Sequence, residues 1–497
     1  MELQFQKHIF SCLKTGLQEI QNQEQTLEIK LPEGMPDIGR ILGAWGQPVL
    51  RSKEWRSRDV LMSGGMTVWV LYAPEDSTQP RCLSGWIPYQ MDWQLPEEMP
   101  EGTMRIWLLP RFVDARSVSP RKIMVRAGLA AMVQALCSME AETYVPAQEF
   151  DRVELLRNTY PMYLPVHGGE KMFTMDEELA LPPSTPEAEK LLYFRMQPEI
   201  TDQKVLGNKL VFRGNGNLHV LYLSEEGQLF SWDFTMPFSQ YAELKDSFSN
   251  EAQGDVALCP TNVEVDLDDE GHFRVKCGVV AQYVIQEMQM LELTEDAYSP
   301  GRDMTLQSQQ IQLPAILETR RENLYGEQTV PAEAGIVTDV QFLPEFPRQR
   351  WMEKGICLEV PGIFHVLYYG EDGSLQSSSV RWEGRQELRA DEDSVIAAIP
   401  AVPSVEILPG SMQAKLELPL HMTVTGNKGL TMVTGAEVGE LRQQEHQCPS
   451  LILRRMGEES LWQIAKASGS TRSAICKANG LESEPLPGQM LLIPVSG

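Results

Sequence analysis

Three acidic pairs are the residues whose type and spacing first invite a chemical reading: Glu75-Asp76, Glu225-Glu226 and Glu371-Asp372, each followed by a small residue, Ser77, Gly227 or Gly373. Two carboxylates roughly 5–9 Å apart across a bond are what a glycoside hydrolase needs, one as acid and one as nucleophile or base. Recurrence beside a turn residue in three places argues instead for hairpin tips, because Asp-Gly accepts the positive φ angles of a type I′ turn. His219 and His365 occupy equivalent places and could ligate a metal, but the first copy puts Trp69 there, so packing or strand pairing is the better reading. Gly214-Asn215-Gly216 lacks the helix opening and continuing glycine pattern of a phosphate loop and reads as a turn or bulge. The chain has no Gly-x-Ser-x-Gly, no His-Glu-x-x-His and no cysteine with a persuasive histidine partner. We therefore expect no enzyme, and assign no catalytic residue, no cofactor site and no metal site.

The elements around these residues repeat. Val70-Leu71-Tyr72, Val220-Leu221-Tyr222 and Val366-Leu367-Tyr368 recur at separations of 150 and 146 residues, and the acidic pairs follow each of them. Forty residues before the first two leucines stand Leu31-Pro32 and Leu181-Pro182, each with a second proline, Pro36 or Pro186, and a short helix-like run. The corresponding Leu313-Pro314 lies 54 residues upstream of Leu367, which reads as an insertion in the third copy. Segments such as MTVWVLYA, NLHVLYLS and GIFHVLYY are rich in β-branched and aromatic residues and predict strands. Prolines 161, 165, 182, 183 and 186 and the stretch 291–303 mark seams, with boundaries near 150 and 300. Period alone leaves open whether the copies are independent domains or one assembly, and whether part of the first pairs with the third.

Composition narrows the function. A chain of 497 residues has room for about three to four domains. A net charge of −26 opposes binding to phosphate backbones, so no nucleic-acid partner is expected. The eight cysteines (12, 82, 137, 259, 277, 357, 448 and 476) are scattered singly, which suits a reducing compartment. No integral membrane segment is expected, since no apolar run approaches the ~18 residues that would span a bilayer. The first twenty residues show no cationic stretch leading into a long apolar run, so the protein is expected to remain cytoplasmic. Leu3, Phe5, Ile9, Phe10, Leu13, Leu17 and Ile20 fit one face of an N-terminal helix packed on the first copy.

The last fifty residues differ in kind and read as strand, helix, helix, strand. Leu461, Ile464 and Ala465 make one helix stripe, and Ile475 with Ala478 another. Ser470 or Thr471 can cap the second helix, and Asn479-Gly480 can end it in a left-handed C-cap.

Here the residues resemble known families. Gly457-Glu458-Glu459-Ser460-Leu461-Trp462-x-Ile464-Ala465, then Asn479-Gly480-Leu481, then Gly488-Gln489-x-Leu491-x-Ile493-Pro494 is similar to the LysM domain. The family more often has Asp at the position of Glu458 and a tyrosine-valine pair where this chain has Leu453 and Arg455. LEIKLPEGMPDIGRIL, followed by a strand ending in Val-Leu-Tyr, resembles the opening of the SPOCS domain, with Glu33 and Met35 in place of the usual Asp and Lys. Repeated SPOCS-like modules ahead of one LysM resemble the spore-coat assembly (morphogenetic) proteins of the SPOCS/LysM kind. The resemblance implies a mainly β fold: three tandem β-rich, sandwich-like SPOCS modules at 1–150 (with the N-terminal helix), 151–300 and 301–446, then a small α+β (βααβ) LysM domain at 447–497. It also implies a non-enzymatic scaffold in spore-coat assembly and encasement. Such a scaffold would act from the mother-cell cytoplasm at the forespore surface and dock the spore-coat morphogenetic ATPase, or another coat protein, through its tail.

The LysM groove carried over by this resemblance, for a protein partner or for glycan containing N-acetylglucosamine, is Gly457, Glu458, Glu459, Ser460, Trp462, Asn479, Gly480 and Leu481. For Trp462 a place on the small core is an equal alternative. Rival expectations are a peptidoglycan-binding cell-wall protein and a wall hydrolase targeted by its LysM.

Overall fold

The structure is a computed structural model that describes residues 2–77, 79–99, 102–147, 152–330, 336–353, 355–391, 394–408, 412–441 and 450–495; Cys448 lies outside them. It is mostly antiparallel β. Strand β1 (Glu2–Leu3) precedes a first unit of β2 (Phe5–Lys30), β3 (Ile38–Arg56), β4 (Asp59–Pro74), β5 (Arg81–Gln94), β6 (Gly102–Ser119) and β7 (Lys122–Pro146). The second unit is β8 (Glu154–Leu179), β9 (Ala188–Leu206), β10 (Lys209–Ser224), β11 (Leu229–Glu243), β12 (Gln253–Leu267) and β13 (Phe273–Tyr298). The third is β14 (Arg302–Thr329), β15 (Ile336–Pro344), β16 (Arg348–Met352), β17 (Gly355–Tyr369), β18 (Leu375–Leu388), β19 (Val395–Pro400), β20 (Ser404–Ile407) and β21 (Gln413–Leu441). A tail follows with β22 (Leu451–Arg455), α1 (Leu461–Ala467), α2 (Arg472–Asn479) and β23 (Met490–Pro494).

Each unit is built the same way. A long first strand leads into an antiparallel meander; two further strands, or three in the third unit, then return so that the last lies between its predecessor and the first. The sheets are β3-β4-β5 with β2-β7-β6, β9-β10-β11 with β8-β13-β12, and β15/β16-β17-β18 with β14-β21-β19/β20. The two sheets of a unit face each other: Val70 and Tyr72 share one buried cluster with Ile123, Val125 and Leu129, and Val366 and Tyr368 share another with Leu416 and Leu420. Alternation along a strand sends Leu71, between Val70 and Tyr72, to the opposite face. There Leu71, Leu221 and Leu367 bury in a single cluster that joins all three units, together with Trp45, Trp69 and Tyr193. A second junction cluster gathers Cys12, Met162, Leu164, Leu313 and Met432 from the three units.

Several expectations are corrected. The N-terminal helix is instead β1 and β2, and the helix-like runs after Pro36 and Pro186 are the starts of β3 and β9. Strand β1 pairs with β21, Leu3 opposite Ala436, so part of the first copy does complete a sheet of the third. Leu313-Pro314 lies inside β14. The place of Leu31 is taken by Val330, whose N–H donates to Met412 O (2.7 Å) as Leu31 N–H donates to Arg121 O (3.0 Å), so no insertion precedes the third meander. Pro161 and Pro165 lie within β8, and residues 291–298 are the end of β13. The acidic pairs do sit at hairpin tips. The turns at 225–227 and 371–373 are one residue longer than type I′: Gly227 and Gly373 alone are left-handed (φ 75° in both), closing a type I turn with a glycine bulge.

The centre of the molecule is walled by proline. Pro48, Pro198 and Pro344 hold the same place in β3, β9 and β15, opposite Met66, Gly216 and Gly362. Pro110, Pro260 and Pro400 repeat in β6, β12 and β19. All six line one cavity of about 190 Å³ between the units. These are edge strands, and a proline removes the N–H with which a neighbouring edge would pair.

Candidate functional site

The tail forms as its sequence dictates. Ser460 Oγ accepts from Gln463 N–H while Gln463 Oε1 accepts from Ser460 N–H, a reciprocal cap that starts α1. Thr471, rather than Ser470, caps α2 through Ala474 N–H (3.1 Å). Gly480, left-handed at φ 63°, ends α2. Leu461, Ile464, Ala465, Ile475, Leu491 and Ile493 make the core, while Ala478 is exposed.

The groove residues divide by what they already hold. Gly457, Glu458 and Glu459 are exposed, and Glu459 pairs with Arg454. The Ser460 hydroxyl is committed to the helix cap. Asn479 acts as a piece of backbone: its amide donates to Ile475 O and Leu492 O (2.8 and 2.6 Å), and its carbonyl accepts from Leu492 N–H (2.7 Å). Leu481 packs against the core. Glu484, which no motif singles out, ties the two loops together by accepting from Leu461 N–H and from Arg472 (3.3 and 3.0 Å).

Trp462 is buried and faces the second unit, not solvent. Its indole N–H donates to Asp296 Oδ2 (2.8 Å), and its ring meets Tyr298 edge-on at 4.8 Å. Lys466 Nζ also reaches Asp296 (2.7 Å), and Tyr298 Oη donates to Ser470 O (3.0 Å). Burial pushes the Tyr298 hydroxyl pKa far up, so it stays a neutral donor. The tail is thereby clamped through its helices to the end of β13.

Polar side chains also gather where the units meet. Arg105, buried, donates to Asp255 Oδ2 (2.7 Å) across the first and second units. Gln282, fully buried, accepts from Ile106 N–H and donates to Ile106 O (2.9 and 2.8 Å), imitating a strand neighbour on an open edge. Gln47 accepts from Met196 N–H (2.7 Å), while its amide donates to Pro48 O (3.1 Å).

His219 joins the second and third units. Its Nδ1 lies 2.8 Å from Asp233 Oδ1, and its Nε2 3.1 Å from Asp339 Oδ1, a contact too bent for a hydrogen bond. Burial opposes the imidazolium, but the carboxylates, Asp339 foremost, outweigh it and hold the pKa up at about 9. His365, at the same repeat position, has Ser379 Oγ on Nδ1 (2.8 Å), and burial pushes its pKa down to about 4. A histidine so hard to protonate is a poor base for activating that serine. Glu178, Asp268 and His272 form a cluster of metal-ligand type. Asp268 already accepts from Glu270 N–H, His272 N–H and Arg274, which makes it the lock of a hairpin tip.

These arrangements bind and fasten; they do not assemble a nucleophile, a base and an oxyanion site. Two family models match the chain. Residues 187–268, spanning β9 to β12, match the family described as SipL, SPOCS domain. Residues 457–494 match the LysM domain. No curated protein and no solved structure matches the chain. The chain thus carries a SPOCS domain and a LysM domain, both of binding or scaffold type. Together they mark a sporulation-related protein with a module of the peptidoglycan-binding kind. Among the described residues no helix is long and apolar enough to cross a membrane.

Proposed function

We propose that the chain is a non-enzymatic scaffold of spore-coat assembly: three SPOCS-type modules at 1–150, 151–300 and 301–446, and a LysM tail at 447–497 that docks the coat's basement-layer ATPase. It acts at the forespore surface from the mother-cell cytoplasm. The observation that carries this reading is the shared burial of Leu71, Leu221 and Leu367, because the repeats direct their signature residues at one another and not around a substrate cleft. The strand order common to all three units supports extending the SPOCS assignment from the second to the others. The test is a fluorescent fusion in sporulating cells, with and without residues 447–497. A shell around the forespore that becomes diffuse without the tail, while the units stay folded, is the expected result. An even signal in both fusions, or a truncated chain that unfolds, overturns it.

The LysM match also favours a second reading, in which Gly457 to Ser460 and Asn479 to Leu481 hold N-acetylglucosamine-containing glycan. Sedimentation with insoluble peptidoglycan separates the two, since a tail turned to protein stays in the supernatant.

A further inference from the structure

The tail has a second surface besides its loops. Strands β22 and β23 pair with Leu453 opposite Leu492 and Arg455 opposite Met490. One face of this ribbon sends Ile452, Leu491 and Ile493 into the core. The other carries Leu451, Leu453, Met490 and Leu492, and Leu486 stands in the turn leading to it; these side chains are 38–75% exposed. The clamp to the second unit uses the helical side, through Trp462, Lys466 and Ser470, so the ribbon's outer face looks away from the rest of the molecule. In the three units large exposed apolar side chains are spread over many strands, whereas here five fall within 46 residues.

Size and charge select the occupant. An exposed apolar patch of this kind marks an interaction site. A second copy of the same face would bring arginine and no carboxylate to it. A ribbon of five-residue strands is roughly 17 Å long, the footprint of one helix about 10 Å wide. Its residues are aliphatic, offering no aromatic platform for a sugar ring, and its charged side chain is Arg455, since Arg454 lies on the core-facing side and pairs with Glu459; the two strands carry no carboxylate. We propose that this outer face docks an amphipathic helix of a partner protein, with the helix's apolar stripe on Leu453 and Leu492 and an acidic flank toward Arg455. The proposal rests on the reading of the tail as a protein-docking module and names the surface that does it.

The test titrates the purified basement-layer ATPase into the full chain, as wild type and as the double variant Leu453→Glu/Leu492→Glu, with hydrogen exchange on the wild-type complex. Both substitutions are at exposed positions, so an unchanged melting temperature serves as the folding control. The expected result is a loss of affinity of about 30-fold or more, with protection at residues 451–455 and 490–494. Undiminished affinity with protection at 457–460 and 479–481 overturns the proposal and moves docking to the groove. A chain whose light scattering shows a dimer that the double variant dissolves makes a second copy the occupant and also overturns it. A wild-type chain that does not bind the ATPase at all overturns the protein-docking reading, and this proposal with it.

Discussion

His219 and His365 stand at one position of the repeat, each two residues before a signature leucine, and the fold treats them in opposite ways. His219 is buried between Asp233 of its own unit and Asp339 of the next, and is held charged. His365 leans on Ser379, a neutral neighbour directly across the sheet, and is held neutral. In the first unit the position is Trp69, stacked edge-on against Tyr193 and Phe194 of the second. A repeat position here encodes a direction, toward the neighbouring unit, and the neighbour decides the chemistry. The three junctions are therefore distinct joints made on one backbone plan.

The largest effect expected from this contrast comes from stranding the buried charge. Asp339→Ala leaves His219 with one mostly exposed carboxylate, and should cost about 3–5 kcal/mol of unfolding free energy by urea titration. Ser379→Ala, which removes only a neutral hydrogen bond from His365, should cost about 1 kcal/mol. Equal losses would break the distinction.

A pH series sharpens it. His219 gains its proton affinity on folding, so its contribution is whole below pH 6.5 and is lost as pH rises through about 9, up to about 3 kcal/mol in all. His365 resists protonation in the fold, so stability that is whole above pH 6.5 declines as pH falls toward 4. Melting temperatures of wild type and His219→Gln, compared between pH 6.5 and 9, should converge at the alkaline end. A constant gap would remove the charged clamp from the account.

The smallest effect tests the converse, that repeat positions without a foreign neighbour are interchangeable. Ser57 turns between β3 and β4 at φ 52°, a left-handed conformation that the second unit gives to Gly207 at φ 59°. Ser57→Gly should raise stability by about 0.5–1 kcal/mol, measured by thermal unfolding. A loss would mean that the hydroxyl of Ser57, 3.4 Å from Glu98 Oε1, matters more than the backbone.

Much of this plan was legible in the sequence, and the misses share a cause. The Val-Leu-Tyr strands and the acidic hairpin tips follow from local composition, and so do the two capped helices of the tail. The N-terminal stretch reads as a helix because Phe5, Ile9, Leu13 and Leu17 recur every four residues with Phe10 and Ile20 beside them, and a spacing of four satisfies both the 3.6-residue period of a helix and the two-residue period of a strand. Only the pairing of β2 with β7 decides between them. Alternation could have put Leu71 on the face opposite Val70 and Tyr72, but could not say that two further leucines would meet it there. Asp296 and Tyr298 give no local sign of being the seat of Trp462, since the contact spans 166 residues. The six central prolines were available, repeating with the modules, and are the one long-range feature that spacing could have revealed.

Those prolines bear on how the chain reaches its fold. Three units with near-identical strand order, synthesised one after another, invite a strand of one to enter the sheet of another, the characteristic error of repeat proteins. With an N–H missing at matching points of β3, β9 and β15 and of β6, β12 and β19, each edge offers a strand of another unit a poorer template at that point. The residues that wall the cavity between the units thus also disfavour wrong pairings among them.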